Sequence, residues 1–329
     1  MRQQRLAFSL TEIYMVAGFL LAAYAVVAND SIQTLGTFLS SNSHRPWWAL
    51  WIFASGILCA VLAYGWFVHD GDVSYGRLTN FPVPDGGISW IHVIPPLALL
   101  LLTRVGVPVS TTFLVLTVFT ISNLQAMLTK SLLGYLVAFV VAIVVFRLVF
   151  KRATEYFHRT RGEAIPRYWV VLQWSSTAFL WSQWLIQDLA NIFVYLPRQL
   201  SFSWLAFGVL VLIAMQGYIF YTFGGVIQKI VLSKTDTTDI RAATIIDFIY
   251  GLVLLVFKEV SNIPMSTTWV FLGLLAGREF ALSMYLADTG FRRTLRNVSM
   301  DALKALSGLI VSVILALGLP YLNRLLFGS

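Results

Sequence analysis

The chain has 329 residues, 58% of them hydrophobic and 12% charged, with a mean hydropathy of +0.77 and a net charge of +8. A soluble globular domain carries about a quarter of its residues as charges, so this composition excludes one. The positive balance is no nucleic-acid signal either, because the basic residues fall in short loops between apolar runs, where membrane topology accounts for them.

A bilayer is crossed by about 20 mostly apolar residues in a helix. In lipid every backbone group must be satisfied within its own segment, and the apolar runs do not alternate as barrel strands would. In chain order the sequence predicts ten spans: 8–28, 46–68, 88–106, 109–128, 131–150, 168–187, 202–225, 242–261, 265–286 and 303–323. The first follows Arg2 and Arg5 but is longer than a signal-peptide core, so it is kept as a span. Segments 31–43 and 190–200 are too short to cross and read as broken-helix or re-entrant pieces. The predicted fold is an all-α integral membrane protein of about ten transmembrane helices in two inverted five-helix repeats. Repeat 1 covers 1–150, a cytoplasmic basic linker 151–167, and repeat 2 covers 168–329.

Charge asymmetry orients the chain. Segment 147–167 holds six basic and two acidic residues, 288–304 four and two, and 228–241 three and two. Segment 69–89 instead holds Arg77 against Asp70, Asp72 and Asp85. The positive-inside rule places the three basic segments in the cytoplasm and both termini outside, in the cell's inner or plasma membrane. Arg2 and Arg5 pull mildly the other way. Five spans per half make the second half enter from the opposite face.

Two short patterns each occur twice. Ala28-Asn29-Asp30-Ser31-Ile32-Gln33 is echoed by Ile186-Gln187-Asp188-Leu189-Ala190-Asn191. Val107-Pro108-Val109-Ser110-Thr111-Thr112 is echoed by Ile263-Pro264-Met265-Ser266-Thr267-Thr268. Asp30 and Asp188 lie 158 residues apart, Ser110 and Ser266 156 apart. Two unrelated patterns sharing nearly one offset mark an internal duplication.

An ionised aspartate at membrane depth costs about 2.5–3.5 kcal/mol on insertion scales and so has a partner or lines a cavity. A carboxylate beside carboxamides offers hard oxygens to a cation such as Na⁺, or a proton relay. Asn29, Asp30, Gln33, Gln187, Asp188 and Asn191 are therefore the coupling-ion candidates, with Na⁺ at Asp30 and Asp188. The bland alternative is that these acids sit at the water interface and cap the segments behind them. In the second pattern, proline ends one helix and opens the next, whose first-turn N–H groups and hydroxyls face one point and suit an anion. Two such termini would cradle a tetrahedral oxyanion without a fixed Lys or Arg; the plain alternative is ordinary N-caps.

At these four places the sequence resembles the inorganic phosphate transporter (PiT) family of sodium- or proton-coupled symporters. That family carries Gly-Ala-Asn-Asp-x-x-Asn and Pro-Val-Ser-Thr-Thr-His in each of two inverted repeats. The resemblance implies phosphate bound by Ser110, Thr111, Thr112, Ser266, Thr267 and Thr268, with Asp30 and Asp188 near phosphate and the coupling cations. The departures are Gln33 and Gln187 where the family has Asn, and Phe113 and Trp269 where it has His. A divergent member carrying another oxyanion such as sulfate fits the same pattern, and so does a passive anion channel.

Four histidines, the lone Cys59, and the lack of a Gly-x-Ser-x-Gly or His-Glu-x-x-His motif argue for a non-enzyme with no cofactor beyond Na⁺ or H⁺. The expected partners are phosphate or a similar oxyanion and the lipid bilayer, with no nucleic acid; a homodimer is compatible. Asp247, inside span eight, reads as interior polar packing or a proton site. Lys258-Glu259 and Arg278-Glu279 read as interfacial anchors, His92 before Pro95-Pro96 as structural, and most of the eleven tryptophans as interfacial belts.

Overall fold

A computed structural model describes residues 2–104, 109–150, 156, 159–160, 165–224, 239–260, 263–285 and 290–327. Val107 and Pro108 of the first proline pattern, and most of the 151–167 linker, lie outside the described residues. Among the described residues there are eleven α-helices and no strand.

The N-terminal helix α1 (Arg2–Val26) passes through a π-helical turn, Val27–Ser31, into α2 (Ile32–Ser41). Then come α3 (Trp47–Val68), α4 (Trp90–Arg104), the nine-residue α5 (Thr111–Phe119) and α6 (Leu124–Val145). In the second half follow α7 (Arg167–Phe193), α8 (Phe202–Tyr221), α9 (Ile240–Val260), α10 (Thr267–Tyr285) and α11 (Gly290–Phe327). Among the described residues, six stretches are long and apolar enough to cross a membrane: Leu10–Ser31, Trp47–Val68, Ile121–Leu148, Phe202–Tyr221, Ile240–Glu259 and Thr294–Phe327. The chain is an integral membrane protein by this measure.

The helices pack in matched pairs. Helix α1 lies against α4 as α7 lies against α9, and α5 packs on α11 as α10 packs on α6, while α3 and α8 pack on each other. The α6–α10 contact is backbone-close: a Cβ on Gly273 or Gly277 would overlap the carbonyls of Tyr135 or Phe139. Small residues four apart on one face let helices approach this way. The aromatic centre includes Trp181 and Trp184, stacked at 4.8 Å, with Trp181 Nε1 donating to the Ala54 carbonyl at 3.0 Å.

Four expected boundaries change. Span 109–128 is no single helix: α5 ends at Thr120, whose extended backbone (φ −154°, ψ 95°) turns the chain into a 3₁₀ turn before α6. At about 1.5 Å per residue, nine residues cover less than half the hydrocarbon core. Segment 190–200 is not a separate helical piece, because α7 runs unbroken to Phe193 and Pro197 blocks continuation beyond. Segment 31–43 continues from α1 through the wide π turn rather than starting afresh. The last helix spans Gly290–Phe327 rather than 303–323.

Asp247 is interior, with no exposure. Its Oδ1 accepts from Thr37 Oγ1 and its Oδ2 from Thr177 Oγ1, both at 2.6 Å, tying α2 and α7 to α9. Asp247→Ala is expected to strand both hydroxyls and lower the melting temperature in detergent, at about 1–3 kcal/mol for the lost partners. Asp247→Asn, which keeps an acceptor for one hydroxyl, is expected to lose less. Equal loss in both would show that charge, rather than hydrogen bonding, holds this junction.

Candidate functional site

The two Ser-Thr-Thr turns fold alike. Ser110 is extended (φ −74°, ψ 112°) and its Oγ accepts from Phe113 N at 3.2 Å, so α5 starts at Thr111. Ser266 Oγ accepts from Trp269 N at 3.2 Å, so α10 starts at Thr267. Both serines are thus true N-caps, a role the sequence offered as the plain alternative. A cap satisfies one of the first four helical N–H groups and leaves the others at a positive helix end.

The threonines after each cap meet the aspartates. Thr111 Oγ1 donates to Asp30 Oδ2 at 2.6 Å, and Thr267 Oγ1 to Asp188 Oδ2 at 2.7 Å. Asp188 also meets the turn of the other half, with Thr112 Oγ1 3.4 Å from its Oδ1. The Thr112 hydroxyl is shared with the Met265 carbonyl, at 3.1 Å. The predicted acids and turns therefore converge on one place, with exposures from 0% at Asp188 to 3% at Ser110, closed to water on both sides.

The carboxamides divide in function. Asn29 Nδ2 donates to Asp30 Oδ1 (2.6 Å) and the Val109 carbonyl (3.2 Å). Asn191 Nδ2 donates to Asp188 Oδ1 (2.8 Å) and lies 3.1 Å from both Thr111 and Thr112 hydroxyls. Gln187 Nε2 turns to the Leu254 carbonyl of α9 at 3.1 Å. The oxygens of Asn29, Gln187 and Asn191 are buried and have no hydrogen-bond donor. Gln33 is buried but bonds none of the motif residues among those described. Phe113 and Trp269, at the positions of the family histidines, pack edge to face with ring centroids 5.7 Å apart. An apolar contact thus takes the place of polar groups beside the two helix starts.

Two buried basic side chains lie within electrostatic reach of the site or of each other. Lys130 on α6 is 7% exposed and donates from Nζ to the Ile263 carbonyl at 2.8 Å, next to Pro264. Its neighbour Ser131 accepts from Ser266 N at 2.8 Å, fixing the second turn. Arg77, from the 69–89 loop, is 1% exposed, and its Nε and Nη1 have no acceptor. Burial pushes the Arg77 guanidinium down to about 10, while the carboxylates of Asp188 and Glu259 pull it up. It therefore stays charged at neutral pH. The only sequence signal for it was one arginine in an otherwise acidic loop.

Fold and site define a polytopic helical membrane protein in which two helix N-termini meet two buried aspartates. No family model and no curated protein matches the sequence. Among solved structures, the chain shares its fold with a protein described as the sodium-dependent phosphate transporter. The TM-score is 0.61 at 15% identity, covering 96% of this chain and 99% of the other.

Proposed function

We propose that this protein is a secondary transporter that carries inorganic phosphate with Na⁺ or H⁺ by alternating access. The observation that carries the reading is the meeting of Asp30 with Thr111, of Asp188 with Thr267 and Thr112, and of Asn191 with Thr111 and Thr112 across the halves. Two buried carboxylates in one closed site need positive charge or protons to be tolerated. The orphan oxygens of Asn29, Gln187 and Asn191 are neutral ligands suited to a hard cation. The two helix starts offer N–H and O–H donors to an oxyanion. The matched helix pairs support two inverted repeats, with the mechanism a rocking of one repeat against the other. Phosphate is favoured among oxyanions by the motif resemblance and by the solved structure that shares the fold.

The test is radiolabelled phosphate uptake into proteoliposomes, with an inward Na⁺ gradient, an inward proton gradient, or neither. Saturable uptake that follows one gradient is expected. Non-saturating flux without a gradient would make the protein an anion channel. Sulfate uptake in place of phosphate would mean that the Phe113–Trp269 contact accompanies a retuned site.

A further inference from the structure

We propose that Arg77 is the fixed cation of the oxyanion site, receiving the anion on its free guanidinium donors beside the second Ser-Thr-Thr turn. This rests on the transport reading above and assigns the charge that the helix termini alone lack.

The loop is built to deliver this side chain. Asp72 Oδ1 accepts from Ser74 N at 2.7 Å and from Ser74 Oγ at 2.5 Å, and its Oδ2 accepts from Gly76 N at 2.8 Å. The turn this closes holds Tyr75 and Gly76 at positive φ, 56° and 75°. Tyr75 OH donates to the Val61 carbonyl at 2.6 Å, and Leu200 N donates to the Gly71 carbonyl at 3.0 Å. Both ends of the turn are thereby fastened to α3 and to the segment after α7. The backbone directly after it sends Arg77 inward, although its neighbours Asp70, Asp72 and Asp85 share the same short loop.

A buried guanidinium without acceptors is costly, because each missing partner forfeits the solvation the group had in water. Here Lys130 lies within electrostatic reach, and in its protonated form it raises that cost by like-charge repulsion. Neither Asp188 nor Glu259 hydrogen-bonds the Arg77 guanidinium, so the charge is not spent in a structural ion pair. A tetrahedral oxyanion offsets both costs together: it accepts from Nε and Nη1, and it screens Lys130 from Arg77. Because the loop lies between α3 and α4, the anion contact comes from the face opposite the basic segments.

The experiment uses the full chain with Arg77→Lys, Arg77→Met and Arg77→Gln. It reads radiolabelled phosphate and sulfate binding in detergent, uptake KM and maximal rate in proteoliposomes, Na⁺ dependence, and melting temperature. Arg77→Met and Arg77→Gln are expected to raise KM for the transported oxyanion about 10- to 100-fold, as loss of charged hydrogen bonds does. Arg77→Lys should fall between these variants and wild type, with half-saturation by Na⁺ little moved in all three. Wild-type KM in every variant overturns the assignment. So does a parallel loss of oxyanion and Na⁺ affinity, which would make Arg77 the counter-charge of Asp188. Should the neutral variants fail to fold, Arg77→Lys decides, since it keeps the charge and loses the planar donors. A wild-type protein that binds neither oxyanion overturns the transport reading itself, and Arg77's role with it. Sulfate binding alone leaves Arg77 as its receptor.

Discussion

Asp188→Asn is expected to reduce gradient-driven uptake by about 30- to 100-fold, and Asp30→Asn with it to abolish uptake. Asp188 is where the donors concentrate: Thr267, Asn191 and Thr112 all direct a polar hydrogen at its two oxygens. Asparagine removes the charge and replaces one acceptor with a donor, leaving at least one of these groups facing another N–H. Hydrogen bonds to a buried charged group contribute about 1.5–3 kcal/mol, which corresponds to the loss stated. A coupling cation would lose its only charged ligand in that half, so half-saturation by Na⁺ should rise as well. Initial uptake rates across an Na⁺ titration check both effects. Normal rates in the double variant would remove the aspartates from the mechanism.

Gly273→Val and Gly277→Val are expected to be the most damaging changes away from the site. At both positions a Cβ meets backbone carbonyl oxygen on α6, which cannot swing aside as a side chain can. The helices must separate, and overpacking of this kind costs about 1–3 kcal/mol or more for each added group. Because α10 carries the second Ser-Thr-Thr turn and α6 carries Lys130 and Ser131, the separation would also pull Ser266 N from Ser131 Oγ. We expect a melting temperature lower by about 5 °C or more in detergent, together with loss of uptake. Gly56→Ala, where an added Cβ meets nothing within 4 Å, should melt like wild type. If all three variants melt together, the α6–α10 contact is not what holds α10 in place.

The acids and the threonines were legible because the duplication is written in residue types that membranes rarely tolerate, at one repeated offset. The meeting of Asp30 with Thr111, 81 positions away, follows once both patterns are read as one site. The end of α5 was not legible. Phe119, Thr120 and Ile121 read as uninterrupted apolar sequence, and hydropathy does not register a backbone turn. The unbroken course of α7 was misread for the converse reason. Segment 190–200 is too short to cross alone and so reads as a broken-helix piece, yet Asp188 and Asn191 find their partners on α5 and α10, so the helix has no need to open. Arg77 was counted only as loop charge, since topology rules weigh a loop's charges and not where the loop folds. Gln33 rests on its pattern position alone: it is buried, and no hydrogen bond ties it to the other motif residues among those described.

That π turn has a consequence for energetics. If two inverted repeats were identical, a rocking motion would carry the molecule between conformers related by a two-fold rotation and equal in free energy, and neither face would be preferred at rest. Here one half reaches its aspartate through the five-residue Val27–Ser31 turn, while the other reaches its own on an uninterrupted α-helix. The wider turn shifts the register of hydrogen bonding by one residue. The duplication is therefore a symmetry of topology but not of free energy. In the transport cycle proposed above, the resting population would be biased toward one face before any ion or substrate arrives, and a transmembrane gradient would act on that bias rather than on a balanced pair.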